Sequence, residues 1–438
     1  MSAGPVLFQN VIVVGVPGDD VPFVGWVAVR DGRIYSLGAG TPPDVTGFAE
    51  VIDGKGGVLM PGIVNTHAHS HSSLTRGSAE GAVLEDWLTV IEREQSILTD
   101  DEAHVGAMAT YGEALLSGTT TIMDMCVRPK AAYEAALQAG IRAVIAPYAA
   151  DSKPFAPTLA DTEALIMLAE TADPRVRVWV GLHDVESCSD AQICRGVEIA
   201  RAHGVGLHLH CAETQISVSR TQARTGVTPV AHLDRLGGLG GRTLLAHGIW
   251  LDREDRDLIA GAGASIAHCP HANLKLGSGI ADIPLLRAAG INVTLATDGA
   301  KANNRLDMFD VMKFASLLQK GVARNPNVLT PAEIIDAATC GGAMALDIAD
   351  AGAIAEGMLA DLILIDTKAF HLQPSLCETV MTNLVHAARG SDVRLTMVDG
   401  RILVRDGALV SPEHRKALDE QHRVGVSLIE RCRAAQVQ

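Results

Sequence analysis

The residues best suited to chemistry in this chain are two histidines, His67 and His69, which close the apolar run of residues 57–63. Side chains alternate between the two faces of a β-strand, so both imidazoles point to the same side of a strand end and converge on one point. This geometry is typical of metal ligands. A lone His-x-His pair also arises by chance, and a single buried histidine is more often a core residue, so the rest of the chain must decide between the two interpretations.

Further polar side chains close later apolar runs. A buried carboxylate at a strand end is costly unless it is paired or bound to a metal, so Asp298 points to a cation. With His67, His69 and His210 it gives a nitrogen-rich set with one carboxylate, which suits Zn²⁺ or Fe²⁺ better than Mg²⁺ or Ca²⁺. His208 shares a strand face with His210 and is an alternative third ligand, but His210 is preferred because it stands at the strand end. No lysine ends the fourth run to bridge a second metal, so one divalent ion is expected, with Zn²⁺ favoured.

Two more side chains are candidates for catalysis. Glu213 lies three residues beyond His210, within reach of a metal-bound water whose pKa the ion would lower toward neutrality. A carboxylate that moves protons to a leaving nitrogen is what hydrolytic deamination requires. The alternative for Glu213 is an acid that stabilises a helix N-terminus. His247, which closes the sixth run, would orient the hydroxide or polarise the substrate ring, and its alternative is a structural role.

The remaining candidates concern the substrate. His183 closes the fourth run and is placed to hydrogen-bond a ring nitrogen. His71 continues the alternating histidine pattern one step into the following loop, which makes it a candidate for the pocket wall. The gap before the second run holds more residues than one helix needs. Residues 70–95, with Trp87, are therefore expected to fold over the mouth of the site as a lid.

A repeating pattern of strands and helices would bring these side chains together. Eight apolar, β-branched runs alternate with helical stretches such as 129–138 and 190–203. Eight parallel strands with helices between them form a (β/α)8 TIM barrel, whose active site lies at the carboxyl ends of the strands. A doubly wound open sheet is the alternative, but no glycine-rich phosphate loop follows the first run. The seven later runs cover residues 119–124, 142–148, 176–183, 205–210, 242–247, 264–269 and 292–298.

Both ends of the chain have a different pattern. Residues 1–56 and 351–410 carry short alternating runs joined by Asp-Gly turns, which are typical of antiparallel hairpins. We therefore expect an α/β protein in which a metal-dependent (β/α)8 barrel, residues 57–350, is flanked by the two parts of one small β-sandwich domain. Residues 411–438 begin with Ser-Pro and contain few helix breakers, so they predict a closing helix.

Composition argues against several classes of function. The 438 residues carry a formal net charge of -15, which disfavours a nucleic-acid or anionic-membrane surface because both require a basic patch. No apolar run reaches the roughly 18 residues of a membrane span, and the N-terminus lacks the basic segment of a signal peptide. A cytoplasmic enzyme with a small-molecule partner is expected. The sequence is compatible with a homo-oligomer and does not decide the oligomeric state. The eight cysteines form no Cys-x-x-Cys pair and are expected to be buried thiols.

Short motifs follow one another in a characteristic order along nearly the whole chain. They are His67-Ala68-His69, Leu74-Thr75-Arg76-Gly77, Asp86-Trp87-Leu88, His210-Cys211-Ala212-Glu213, Ala246-His247, residues 273–281 and Thr297-Asp298-Gly299. This ordered set resembles the amidohydrolase superfamily, and within it the branch of S-adenosylhomocysteine/methylthioadenosine deaminases, guanine deaminases and triazine hydrolases. The resemblance implies one metal held by the four ligands proposed above. It also implies Glu213 as proton shuttle, His247 as orienting group and Asp298 as acceptor of the water proton.

The departures from the family pattern concern the substrate. Nucleoside deaminases of this kind carry a ribose-binding Glu before a Leu-Thr pair, and the match here falls on Glu94 or Gln95, of which Glu94 is the candidate. Asn273, in one of the matching motifs, is a further candidate substrate contact. The arginine that follows the third strand in those deaminases is absent from residues 146–148, and residues 301–304 replace a common Ala-Ser-Asn-Asn segment. These changes weaken an S-adenosylhomocysteine assignment and indicate a retuned pocket.

The sequence as a whole predicts a metal-dependent hydrolytic deaminase, or aminohydrolase, of an amino-substituted nitrogen heterocycle such as a purine or its nucleoside, a pterin or a triazine. Metal-bound hydroxide would attack the amine-bearing carbon, and ammonia would leave. The alternatives are a triazine chlorohydrolase or alkylaminohydrolase, a cyclic-amide hydrolase and a non-catalytic barrel scaffold. The scaffold is disfavoured because every ligand position is filled.

Overall fold

The computed structural model describes residues 4–18 and 21–434. The strands are β1 Val6–Val13, β2 Phe23–Arg30, β3 Arg33–Ala39, β4 Glu50–Asp53, β5 Val58–Pro61, β6 Ile63–Ala68, β7 Thr119–Cys126, β8 Arg142–Pro147, β9 Val176–Val178, β10 Val180–Asp184, β11 Leu207–Cys211, β12 Thr243–His247, β13 Ser265–His268, β14 Asn292–Leu295, β15 Leu362–Ile365, β16 Val393–Val398, β17 Arg401–Arg405 and β18 Ala408–Leu409. The helices are α1 Leu84–Ile97, α2 Asp100–Leu116, α3 Pro129–Ala139, α4 Leu159–Glu170, α5 Asp190–His203, α6 Gln215–Thr225, α7 Pro229–Arg235, α8 Arg253–Ala262, α9 Pro270–Lys275, α10 Ile283–Ala288, α11 Ala300–Asn303, α12 Met308–Ala323, α13 Pro331–Ala338, α14 Cys340–Ala345, α15 Val380–His386 and α16 Pro412–Ala434. Short 3-10 helices cover Ser70–Thr75, Phe370–Leu372 and Gly390–Asp392.

Parallel strands form a barrel in the middle of the chain. Strands β6-β7-β8-β9 make one parallel sheet and β10-β11-β12-β13-β14 another, with β9 and β10 as two halves of one strand interrupted at Trp179. The sheets meet where Ala149 pairs with Leu182 and where the Asp298 amide donates to the His67 carbonyl over 3.0 Å. The predicted α/β fold with parallel strands of the TIM-barrel type is confirmed.

The first apolar run divides between two sheets at Gly62. Strand β5 pairs with β1 and β15 outside the barrel, whereas β6 pairs with β7 inside it. A Cβ atom on Gly62 would lie 2.1 Å from the Thr120 hydroxyl oxygen, so only glycine allows this close approach. The first barrel strand thus begins at Ile63, later in the chain than the start of the run at residue 57.

Both chain ends contribute to one nine-stranded sheet. Its order is β18-β17-β16-β15-β5-β1-β2-β3, with β4 beside β1. Strands β2 and β3, and strands β16 and β17, are antiparallel pairs. The turns between them are Asp31-Gly32 and Asp399-Gly400, whose four residues all have positive φ, as a two-residue hairpin turn requires. The nine strands therefore tie the two ends of the chain together.

A buried ion pair joins this sheet to the barrel. Arg142, at the start of β8, donates from Nε and Nη2 to the two carboxylate oxygens of Asp361 over 2.6 and 3.1 Å. The two side chains are only 7% and 3% exposed. Asp361 also accepts from the Asp399 amide over 2.7 Å. Bidentate pairing of this kind fixes both distance and orientation, so the first half of the barrel is held against the sheet.

The final helix packs back onto the loop that follows the first barrel strand. A Cβ atom on Gly425 would lie 2.4 Å from the Leu74 carbonyl oxygen, which shows how close α16 approaches the 3-10 helix. Residues 435–438 of the predicted closing helix lie outside the described residues. The eight cysteines are free thiols. Within residues 4–18 and 21–434, no helix has the length and apolar character to cross a membrane.

Candidate active site

A cavity of about 420 Å³ opens at the carboxyl ends of the barrel strands. Strand ends supply its floor, and α1 supplies a large part of its wall, including Trp87, Ile91 and Glu94. Helix α1 and the preceding 3-10 helix lie in the segment that the sequence predicts as a lid. The volume falls in the range of small-molecule sites, which is roughly 300–1,000 Å³.

Three imidazoles and one carboxylate converge at the cavity floor. The Nε2 atoms of His69 and His210 are 3.3 Å apart, and Asp298 Oδ1 lies 3.6 Å from His69 Nε2 and 3.9 Å from His67 Nε2. The Nε2 atom of His67 is fully buried and has no hydrogen-bond partner among the described residues. Atoms this close, with one of them unsatisfied, are arranged as ligands around a shared point.

The Nδ1 atoms of His69 and His210 form hydrogen bonds with backbone carbonyl groups. His69 Nδ1 lies 2.7 Å from the Met125 carbonyl and His210 Nδ1 lies 2.7 Å from the His183 carbonyl. A carbonyl can only accept, so each Nδ1 carries the proton and each Nε2 presents a lone pair to the cavity. Backbone carbonyls thus set two of the three tautomers.

The third tautomer is set through a relay. His208 Nδ1 lies 2.8 Å from the Leu244 carbonyl and must donate to it, so His208 Nε2 accepts. That atom lies 2.8 Å from His67 Nδ1, which therefore donates and leaves His67 Nε2 with a lone pair. His208 is a buried residue behind a candidate ligand, whereas His210 is among the residues that line the cavity. The preference for His210 as third ligand stays a prediction.

Electrostatics agree with neutral ligands. Burial, reinforced by the neighbouring imidazoles, holds the pKa of His67 and the pKa of His210 well below the ordinary histidine value. Metal ligation needs neutral imidazole. Three imidazole nitrogens and one carboxylate oxygen fit a divalent metal ion, and one of these nitrogens is a buried Nε2 that lacks a hydrogen-bond partner in the part of the chain that the structure describes.

Glu213 and His247 lie beside this cluster. The Glu213 Oε2 atom is 3.5 Å from His247 Nε2, and Oε1 accepts from Ser278 over 3.3 Å. Burial raises the pKa of Glu213, which favours its protonated form at higher pH than usual. His247 and Asp298 have φ of 74° and 60°, a left-handed backbone that is costly for these residues and clusters at functional sites.

Asn273 is not among the residues that line the cavity. Its Oδ1 atom lies 2.8 Å from His247 Nδ1, so it holds the His247 ring from behind. Asn273 lies within α9, and its direct contact with the substrate stays a prediction.

The other predicted substrate contacts all line the cavity: Trp87, Glu94, His71 and His183. His183 packs against Tyr148 with ring centroids 4.3 Å apart, and its Nδ1 lies 2.8 Å from the Ser187 hydroxyl. Burial lowers the pKa of His71 to about 3, so this ring is neutral. Glu94 is already engaged by Thr75, whose hydroxyl donates over 2.8 Å, and by the buried Lys301 ammonium.

Tyr148 and Lys301 are among the cavity residues that received no role from the sequence. Tyr148 ends the third run, and Lys301 follows Asp298 by three positions; both line the cavity. Tyr148 directly follows the end of β8 at Pro147, so its place at a strand end could have identified it. Lys301 lies in α11, beyond the end of β14, and strand-end position alone does not identify it. Lys301 begins the segment of residues 301–304 that departs from the family pattern, but the sequence did not indicate which side chain it pairs with.

Comparison with known proteins identifies the family. Residues 58–403 match the amidohydrolase family, so the chain belongs to that family, and the predicted resemblance is confirmed. A 5'-deoxyadenosine deaminase of Methanothermobacter thermautotrophicus is 37% identical over 401 residues, which cover 90% of this chain and 92% of that protein. A 5-methylthioadenosine/S-adenosylhomocysteine deaminase of Moorella thermoacetica is 36% identical over 426 residues, covering 92% and 95%.

A solved structure of a deaminase has a fold similar to that of this chain. The crystal structure of an adenosine deaminase from Xanthomonas campestris with bound zinc superposes with a TM-score of 0.90 at 28% sequence identity. The superposition covers 97% of this chain and 98% of the other. The likeness therefore extends over the barrel and the sheet built from the chain ends.

Proposed function

We propose that the protein is a metal-dependent hydrolytic deaminase, a hydrolase that replaces the amine of a cyclic amidine with oxygen and releases ammonia. The observation that carries the proposal is the convergence of three imidazole lone pairs and Asp298 at the cavity floor, with a buried Glu213 beside them. The relatives named as deaminases of adenosine-type nucleosides support it, because they match the chain over nine-tenths of its length.

His67, His69, His210 and Asp298 are the residues that would hold the metal, and Zn²⁺ is favoured over Fe²⁺ because zinc is commonly bound by histidine nitrogens and a carboxylate oxygen. When bound, the ion lowers the pKa of a coordinated water toward neutrality and so supplies a nucleophile for the amine-bearing carbon. Asp298 would accept the proton that this water loses, as the resemblance to the family implies.

Glu213 and His247 complete the proton transfers. Because burial raises the pKa of Glu213, its carboxylic acid form is available to donate to the ring nitrogen or to the departing amine. His247, held by Asn273, would orient the nucleophile or polarise the ring. One water is consumed and one ammonia leaves.

The cavity wall would bind the rest of the substrate. His183 would hydrogen-bond a ring nitrogen, and Trp87 would pack against a planar heterocycle. Of the substrate class predicted from the sequence, an adenine-based nucleoside is favoured, because the relatives at 37% and 36% identity carry names of that kind.

We propose that the chain divides into a catalytic barrel, a small β-sandwich domain and a closing helix. The barrel, residues 57–350, would be the catalytic domain, and residues 1–56 with 351–410 would form a small β-sandwich domain, followed by the helix of residues 411–438. The nine-stranded sheet drawn from both chain ends supports the small domain. The division at Gly62 places strand β5 with that sheet.

The test is ammonia release from a panel that spans 5'-deoxyadenosine, 5'-methylthioadenosine, adenosine, guanine, isoxanthopterin and melamine, with the metal content of the protein quantified. We expect release from at least one adenine nucleoside. Replacing Glu213 by Gln should lower that rate by about 10²–10⁴-fold and leave the metal bound. Silence across the panel with metal bound would contradict the proposal and favour the chloride-displacing or amide-cleaving relatives.

A further inference from the structure

The charges of the cavity wall are strongly unequal. In the described part of the chain, seven carboxylates and three cationic side chains line the cavity. Two of the carboxylates, Glu213 and Asp298, belong to the proposed catalytic cluster. The five others lie on the wall, where the part of a substrate beyond the reacting ring would rest.

Each of the three cations is already paired with a carboxylate of the same wall. Lys153 pairs with Glu92, and the buried Lys301 pairs with Glu94. Arg220 Nη1 lies 3.1 Å from Glu186. Each cation that lines the cavity in the described residues therefore already has a carboxylate partner, with which an anionic group would have to compete.

The remaining wall carboxylates strengthen the imbalance. Glu85 accepts from the Thr214 hydroxyl over 3.0 Å and has no cationic partner within the described ranges. Asp184 lies 3.0 Å from His183 Nδ1. Burial, with Asp184 nearby, raises the pKa of Glu186, as expected where acidic groups crowd together.

We propose that the cavity wall selects substrates by charge: it accepts a nucleoside whose substituent beyond the sugar is neutral or cationic and discriminates against one that ends in a carboxylate. The inference deepens the proposed function and rests on it. An anionic substituent would have to compete with an existing ion pair or lie against Glu85, which has no cationic partner among the described residues, and either is unfavourable. The two named relatives differ on this point, since S-adenosylhomocysteine carries a carboxylate and 5'-deoxyadenosine does not.

The test uses three compounds of similar size: 5'-methylthioadenosine, its 2-aminoethylthio counterpart and its carboxymethylthio counterpart. For the metal-loaded enzyme at low salt we expect kcat/KM for the carboxylate compound to be at least about fivefold below that for the neutral one. The difference should shrink as salt is added, because exposed charges are screened. A purely steric cause would not depend on salt.

Substitutions that free a wall cation identify the cause. Glu92→Gln releases Lys153 and Glu186→Gln releases Arg220, and each should raise kcat/KM for the carboxylate compound relative to the neutral one. The matched control is Glu163→Gln. Glu163 and Arg195 form a pair of 2.9 Å with 31% and 52% exposure, close to the 33% and 57% of Glu186 and Arg220, but they lie outside the cavity. The control should not change the ratio.

Direct binding separates this inference from the proposed function. Calorimetric titration of Glu213→Gln with the three compounds should rank their affinities in the same order as the kcat/KM values of the wild-type enzyme. Equal kcat/KM for all three in the wild type, or discrimination that neither variant relieves, would overturn the inference and leave the deaminase function standing. Absence of ammonia release together with ordered binding would overturn the function alone. Absence of both would overturn both.

Discussion

His208 illustrates how a single residue can control a site without entering it. Its Nδ1 is fixed by the Leu244 carbonyl and its Nε2 by His67. The ring therefore transmits the direction of a backbone carbonyl to the tautomer of His67. Residues that orient a metal ligand from behind are positioning residues, and their loss weakens a metal site without abolishing it.

The first prediction separates the two histidines of strand β11. His210→Ala removes a lone pair at the cavity floor, so the protein should retain no stoichiometric metal. His208→Ala should retain one metal per chain with an affinity about 10–100-fold weaker. Elemental analysis and chelator competition measure both. Stoichiometric metal in His210→Ala would show that the ligand has been misassigned.

The second prediction concerns pH. Burial holds the pKa of His67 and the pKa of His210 well below the ordinary value, so both imidazoles stay neutral on acidification and protons do not compete for them. Apparent Zn²⁺ affinity, measured by chelator competition, should fall by no more than about fivefold between roughly pH 7.5 and pH 6. A loss of about fiftyfold, as expected from three ordinary histidines, would contradict this account.

At the scale of elements, helix α13 begins with a capping box. Thr330 Oγ1 accepts from the Glu333 amide over 3.4 Å, and Glu333 accepts from the Thr330 amide over 2.8 Å. The sequence predicts this start from Thr-Pro-Ala-Glu, because the pattern is local. Helix starts of this kind can be predicted without knowledge of the rest of the fold.

The third prediction tests this cap. Thr330→Ala should lower the free energy of unfolding by about 0.5–2 kcal/mol and leave activity unchanged, as measured by denaturant unfolding and ammonia release. The control is Thr171→Ala at the end of α4, where the exposed hydroxyl only donates to the Leu168 carbonyl over 3.3 Å. Equal losses for the two variants would argue against a special role for the cap.

Contacts between residues that are far apart in the sequence could not be predicted from the sequence alone. The period of two along a strand predicted that His67 and His69 point to the same side, because that rule needs only neighbouring residues. The same rule could not choose between His208 and His210, and that preference came from the place of His210 at the strand end. Neither rule could show that Gly62 splits the first run, that Asn273 lies behind His247, or that Lys301 pairs with Glu94. Each of these depends on a partner tens to hundreds of residues away.

At the scale of the whole molecule, the sheet and the barrel share a buried charge pair. The fourth prediction is that Arg142→Met destabilises the protein by about 3–5 kcal/mol, because it leaves Asp361 buried without its partner. The measurement is denaturant unfolding. Arg253→Met is the control, because Arg253 and Asp257 are 89% and 70% exposed and 3.8 Å apart, and it should leave the free energy of unfolding unchanged.

The same contact predicts cooperative unfolding. If the Arg142–Asp361 pair couples the two parts, calorimetry of the wild type should show one transition, and Arg142→Met should separate or broaden it. Two independent transitions in the wild type would show that the sheet and the barrel unfold separately.

The central claim is that one metal, held by this chain's histidines and Asp298, is required for hydrolytic deamination. The most direct measurement is ammonia release from 5'-deoxyadenosine by protein stripped of metal with a chelator and then titrated with Zn²⁺. The account predicts no release from stripped protein and a linear gain that stops at one equivalent per chain. Full activity without metal, or saturation with bound metal and no ammonia, would contradict it.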